Sequence, residues 1–394
     1  MMALVTIDRL NKMYEGNVEF YFHSNGYSSL EEIQSEFSEP VNLKLHQPRE
    51  MDWSKWKWVR SYQKRKYLFD ASEIAPYDEI FVLGGDDLSE YYTDKIYRDL
   101  LKYWRWSKSR KLILWQQSMG PFTRWKNRLV VRYFYKKIPV YVRDFWSKKY
   151  LKEAFNLDRN VIQGADLAFA DLPLQHNKNI EKEILEKYGL SPGNYVTLVI
   201  SGLQGKYYTN NKTAYYNTYK QILEKIKSHP HLKDFKIVLL AHTFPPHGDE
   251  SRQIHEFMQF IPEGLKENIV PVTDKILPTR ARFVLGNGMF TLTGRMHAAI
   301  STFQTGKPAV SLSYSAKYKG VIGMNLNRND LIIDADRPEL WESGKLVHLV
   351  ENKINYVIDR YAQLTREIKN KVEMQKKILD ENFDSLRFET LEKV

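Results

Sequence analysis

The stretch Glu79-Ile80-Phe81-Val82-Leu83-Gly84-Gly85-Asp86-Asp87 decides the fold class. Its apolar run has no polar alternation, so it reads as a strand covered on both faces, the kind found in parallel sheets. The two glycines let the chain turn sharply where the strand ends. The same plan repeats on either side. Lys111 to Trp115 is apolar and runs into Gln116-Gln117-Ser118-Met119-Gly120-Pro121; Pro139 to Val142 runs into Arg143-Asp144; Val161-Ile162 precedes Gly164-Ala165-Asp166. Helical spacing fills 93–104 and 145–155 between them, and an earlier strand is expected at 18–22. Strands that alternate with helices predict an α/β protein built on parallel sheets.

Residues 171–194 are polar and turn-rich apart from one short helix, which marks a domain boundary. A second alternation follows: strand 195–200, helix 214–228, strand 235–241, short apolar runs at 282–285 and 289–292, helix 298–305 with Gly306 after it, and strand 309–313. A loop is expected at 314–320, and charged helices from Pro338 to the end. The expected domains are therefore 1–175, 190–335 and a helical tail at 336–394. The chain opens on a helical pattern (Leu4, Ile7, Leu10, Met13) where a parallel domain usually opens with a strand, so a first strand is expected to be missing from this sequence.

Composition narrows the function. Of 394 residues, 43% are hydrophobic and 27% charged, which is ordinary for a globular chain. No run approaches the roughly 20 apolar residues of a membrane span, and the N-terminus lacks a signal-peptide pattern. No cysteine is present, which excludes disulfides, a thiolate nucleophile and a Cys-based zinc site. A cytoplasmic location fits. The net charge of +11 favours anionic partners without choosing among them. Lysine and arginine interleave with aromatics at 53–67 and 103–111, a mix that suits a lipid headgroup surface, single-stranded nucleic acid, or a solvated helix face with its rings turned inward.

In parallel sheets, ligands bind beyond the carboxyl ends of strands, and here those turns are polar. In Thr293-Gly294-Arg295-Met296-His297, Gly294 leaves room for a ligand, Arg295 can fork onto a carboxylate or phosphate, and His297 opens a helix where the dipole favours an anion. Alternation along an extended segment would put Arg295 and His297 on one side. Gly84, Gly85 and Asp86 offer space and a carboxylate. Gln117 and Ser118 offer neutral donors. Arg143 is a second candidate anion clamp, with Asp144 as a helix cap. Asp166, His242 and Lys317 also follow strands. For each of these singly, a plain structural role (a cap, a surface pair, an exposed lysine) competes. No phosphate-binding P-loop, dinucleotide fingerprint, zinc-protease helix or nucleophile elbow is found, and no metal or cofactor is expected.

In this order, EIFVLGGDD, QSMGPF, VRD, GADLAF, TGRMHAAI and PAVSLSYSAK resemble the polysaccharide pyruvyl transferase family, over residues 79–320. The resemblance implies two Rossmann-like domains facing across a cleft, as in B-type glycosyltransferases, with C-terminal helices returning to the first domain. It implies transfer of pyruvate from phosphoenolpyruvate onto two hydroxyls of a sugar, with phosphate released. His297 would be the acid/base, and Arg295 and Arg143 would bind the donor. Gly84, Gly85, Asp86, Gln117, Ser118, Asp166, His242, Gly294 and Lys317 would line the substrates. The acceptor would be lipid-linked or nucleotide-linked; if it is lipid-linked, the aromatic-basic segments at 53–67 and 103–111 give a reason for it to be met at the inner membrane face. Nucleic acid is not an expected partner. A nucleotide-sugar glycosyltransferase of the same fold and a non-catalytic envelope-assembly subunit are the competing readings.

Overall fold

The computed structural model describes residues 1–23, 28–46, 71–91, 93, 95–245 and 248–391. The aromatic-basic segment at 53–67 lies outside the described residues, as does Pro246.

Among the described residues, twelve strands form three parallel sheets. Strands β1 (Phe20–Phe22) and β2 (Leu43–Leu45) pair with each other. Strands β3 (Glu79–Leu83), β4 (Lys111–Gln117), β5 (Val140–Val142) and β6 (Val161–Gln163) follow one another in that order across the first domain. The second sheet holds β7 (Tyr195–Val199), β8 (Lys236–Leu240), β9 (Ile269–Val272), β10 (Thr291–Thr293), β11 (Ala309–Ser313) and β12 (Ile332–Asp334). Its order is β12-β11-β10-β7-β8-β9. The chain therefore winds outward from β7 in one direction, then returns and winds outward from β10 in the other. The point of reversal lies between β7 and β10, where open sheets leave a crevice at their carboxyl edge.

Local chemistry fixes the elements nearest that edge. The helix Phe145–Phe155 starts at Asp144, whose carboxylate accepts from the Ser147 amide, and stops at Asn156 in the left-handed region. The helix Met296–Gln304 is mostly buried, with Gly306 at φ +80° beyond its end. The expected loop at 314–320 is helical instead: Ala316–Tyr318 runs into a π-helical turn over Lys319–Asn325. Packing explains it. A Cβ on Gly320 would lie 2.8 Å from the Asp144 carboxylate, so the wide turn seats a bare backbone against the first domain's helix start.

The chain passes between the domains twice. It leaves the first sheet after Gln163 and enters the second at Tyr195. It returns through the helix Tyr361–Leu391, where the Gln116 amide donates to Asn382 at 2.9 Å, Tyr141 bonds Ser385 at 3.0 Å, and Phe383 packs on Trp115. No described helix is long and apolar enough to cross a membrane.

Candidate active site

The carboxyl ends of both sheets converge on one polar centre. From the first domain come Asp86 after β3, Ser118 after β4, Arg143 after β5 and Asp166 after β6. From the second come His242 after β8, Arg295 and His297 after β10, and Lys317 after β11. At this centre the halves meet through Lys317 Nζ to Asp86 at 2.9 Å, His297 Nε2 to Asp166 Oδ2 at 3.7 Å, the Asn325 amide donating to the Arg143 carbonyl at 2.8 Å, and the Phe145 amide donating to Asn325 Oδ1 at 3.2 Å.

Arg143 is buried. Its Nη1 donates to Asp166 at 2.9 Å and its Nε to Ser118 Oγ at 2.8 Å. Ser118 in turn donates to Asp144 at 2.7 Å. Burial alone would raise the Asp166 carboxyl, but Arg143 and then His297 outweigh it and hold it well below the usual carboxylate range. Asp144 has no such cation at bonding distance, and burial pushes it up despite its hydroxyl and amide donors.

Arg295 caps the helix Met296–Gln304, so His297 stands in the first helical turn. The expected alternation along an extended segment is therefore replaced by a strand-to-helix corner. The two side chains still share a neighbourhood: after burial, His297 and then Arg295 push the His242 ring down to about 3. Arg295 Nε donates to Glu250 Oε1 at 2.5 Å. Burial opposes its charge, but Glu250 overrides that and keeps the guanidinium firmly protonated. Glu250 is fully buried and also accepts from the amides of His242 at 2.9 Å and Thr243 at 3.0 Å. At this centre, Arg295 Nη2 and His297 Nε2 are buried with no hydrogen-bond partner among the described residues, the latter too far from Asp166 for a true bond. His297 keeps a third of its side chain exposed (33%).

Several expected ligand contacts are occupied by the protein itself. Gly294 does leave room, but Tyr208 fills it: a Cβ there would lie 2.6 Å from the Tyr208 hydroxyl, which donates to the Gly294 carbonyl alongside Tyr318. Gly84 faces the Gln116 carbonyl at a distance no side chain permits, so β3–β4 packing demands it. Gly85 sits close to the Asp87 carboxylate. The Gln117 amide donates to the carbonyls of Val82 and Leu83 and stitches two strand ends together. Lys317 stands in a helical turn, with Asp86 and the Tyr314 hydroxyl at 3.0 Å as partners; burial lowers its pKa, yet Asp86 and Tyr314 leave it raised. Tyr207 stacks on Tyr314, with ring centroids 4.1 Å apart. Glu250, Tyr208, Tyr318 and Asn325 escape the sequence reading. An acid after Asp249 looks like helix capping, and nothing local announces its partner 45 residues downstream. Among the described residues, no group of three or more His, Asp or Glu is arranged to hold a metal ion.

Two parallel α/β domains that join their strand ends over such a centre define a two-domain α/β enzyme. Solved structures share the fold. UDP-GlcNAc 2-epimerase from Neisseria meningitidis, bound to UDP-GlcNAc, has a TM-score of 0.63 at 13% identity, over 100% of this chain and 97% of that one. The S. aureus MnaA–UDP co-structure scores 0.57 at 12% identity, over 94% and 88%. Anabaena Alr3699/HepE in complex with UDP scores 0.53 at 12%, over 100% and 96%. These place the chain among proteins with two Rossmann-like domains of the B-type glycosyltransferase kind. No curated protein matches the sequence. The model of the polysaccharide pyruvyl transferase family matches residues 1–316, and the chain belongs to that family. It is a transferase that acts in pyruvyl transfer during polysaccharide synthesis.

Proposed function

We propose that the protein transfers pyruvate from phosphoenolpyruvate to two hydroxyls of a sugar in a polysaccharide precursor, forming a cyclic ketal. The observation that carries the reading is the pair of buried, unpartnered donors, Arg295 Nη2 and His297 Nε2, at the start of the helix that follows β10. An unsatisfied buried donor is costly. Two of them at a helix N-terminus fit a small anion and a proton transfer.

In this reading Arg295 holds the donor's carboxylate or phosphate, with Glu250 fixing its other edge. His297 gives a proton to the methylene carbon of the enol. The adjacent carbon becomes oxocarbenium-like, and a sugar hydroxyl attacks it and returns a proton to His297. The carbon–oxygen bond to phosphate then breaks, its electron pair leaving with inorganic phosphate. The second hydroxyl closes the ring, and its proton goes to the phosphate. Arg143 acts from behind by holding Asp166, which orients the His297 ring and balances its charge. Asp86, Lys317 and Ser118 form the wall of the cleft. No metal or cofactor is invoked. The first domain takes the acceptor, lipid-linked or nucleotide-linked, and the reaction runs in the cytoplasm, at the inner membrane face when the acceptor is lipid-linked.

The test is phosphate release from phosphoenolpyruvate with a pool of lipid-linked and nucleotide-linked sugars, wild type against His297→Ala. Acceptor-dependent release should fall by about 10²–10⁴-fold in the variant. Release that needs no acceptor, or that His297→Ala leaves intact, would overturn the reading. A nucleotide-sugar glycosyltransferase is the second reading, favoured by the UDP bound in two of the structural neighbours. Hydrolysis or transfer of a UDP-sugar in the same assay would support it.

A further inference from the structure

We propose that the helix Trp125–Phe134 is a docking surface for an anionic lipid bilayer. Trp125, Leu129 and Tyr133 recur every fourth residue, which puts them in one row along the helix. They are 70%, 47% and 63% exposed. Val130 and Val131, on the opposite side, are buried in the first domain's core. The helix is thus apolar on two faces, and among the described residues only one of them is covered.

Charge identifies the occupant. From Leu100 to Arg143 the sequence has 12 Lys and Arg and no Asp or Glu. Lys126, Arg128, Arg132 and Lys136 are exposed beside the apolar row, and none has a carboxylate partner among the described residues. An apolar row flanked by cations, with Trp and Tyr at its ends, matches an interface whose headgroups are anionic and whose next layer is hydrocarbon. A protein partner would have to be strongly acidic around an apolar groove. Nucleic acid would use the cations but has no use for Leu129, which offers no ring to stack on.

The segment at 103–111 does not compete for this role. Tyr103, Trp104 and Trp106 pack against the core of the first domain. Their cations lie over the rings, with Lys102 at 4.3 Å from Trp106 and Lys108 at 5.6 Å from Trp104. The docking row also stands next to the polar centre in the chain. The turn after β4 gives Ser118 to that centre and then leads directly into this helix. The docking does not rest on pyruvyl transfer; only its use, bringing a lipid-linked acceptor to the first domain's side of the cleft, does.

The test is flotation of the full chain with vesicles of phosphatidylcholine alone or mixed with phosphatidylglycerol, at low and high salt. Two triple variants are compared: Trp125→Ser, Leu129→Ser, Tyr133→Ser, and Lys126→Gln, Arg132→Gln, Lys136→Gln. Wild type should float with the anionic vesicles and far less with neutral ones. Each removed cation should weaken binding roughly fivefold, on the order of 100-fold for three. The serine variant should lose the binding that survives high salt. All six side chains are exposed, so the thermal midpoint should hold; if the serine variant fails to fold, the glutamine variant decides alone. The proposal is overturned if wild type ignores anionic vesicles at low salt, or if neither variant weakens binding. Tight binding to a single-stranded oligonucleotide, unchanged in the serine variant and paired with no vesicle binding, would replace it with a nucleic-acid surface.

Discussion

Glu250→Gln is the most informative single change. The carboxylate accepts from Arg295 on one oxygen and from the His242 and Thr243 amides on the other. Glutamine has the same shape but only one acceptor oxygen. Turned toward the amides, it sets its own NH₂ against a buried guanidinium. Turned toward Arg295, it sets it against two backbone donors. Removing one partner of a buried ion pair costs about 3–5 kcal/mol, and leaving a buried donor unsatisfied costs about 1–3 kcal/mol. A loss of about 3 kcal/mol corresponds to roughly 6–12 °C in the melting midpoint of a domain of this size. The second domain should show it, by calorimetry. The same change frees Arg295 from its anchor, so KM for phosphoenolpyruvate should rise about tenfold, equivalent to ~1.4 kcal/mol. A variant that melts within about 1 °C of wild type, with KM unchanged, would refute the assignment of Glu250 as the residue that positions Arg295.

His242 binds its proton far less readily in the fold, at about 3 against 6.5 for a free histidine. Between these values the unfolded chain carries more protons, so stability rises with pH through this window and is lost as pH falls from about 6.5. His242→Gln should flatten that limb in a urea-denaturation series. Asp166 is depressed, so its contribution is present above the normal carboxylate range near 3.9 and fades in stronger acid. Asp166→Asn should therefore destabilise at pH 7 by a margin that narrows in acid, and should reduce kcat more than it raises KM. Gly294→Ala drives a methyl into the Tyr208 hydroxyl and should lower the melting midpoint; adding Tyr208→Phe should recover part of the loss, a non-additivity read from the double-mutant cycle.

The elements legible in the sequence are those whose causes are local. Glu79–Leu83 and Phe145–Phe155 match their expected bounds, because a fully apolar run and an Asp cap with an Asn stop lie next to each other in the chain. The edge strands β9 and β12 passed unnoticed, being short and of mixed burial. The helix Trp125–Phe134 was equally hard to see: its exposed apolar row blurs the one-sided periodicity that marks a surface helix. In the polar centre, residue type and order pointed to the right turns. Pairing did not follow from them. Which carboxylate meets which cation depends on how two sheets face each other, and Glu250, 45 residues from Arg295, has no signature until they do.

The two passages of the chain between the domains govern more than assembly. One runs through the segment between β6 and β7, the other through the helix that carries Asn382 back to Gln116. Two such ties leave the domains fewer ways to turn against each other than one would. Parting the halves breaks Lys317–Asp86, His297–Asp166 and the Thr279 bonds to Glu36 together, as the teeth of one latch.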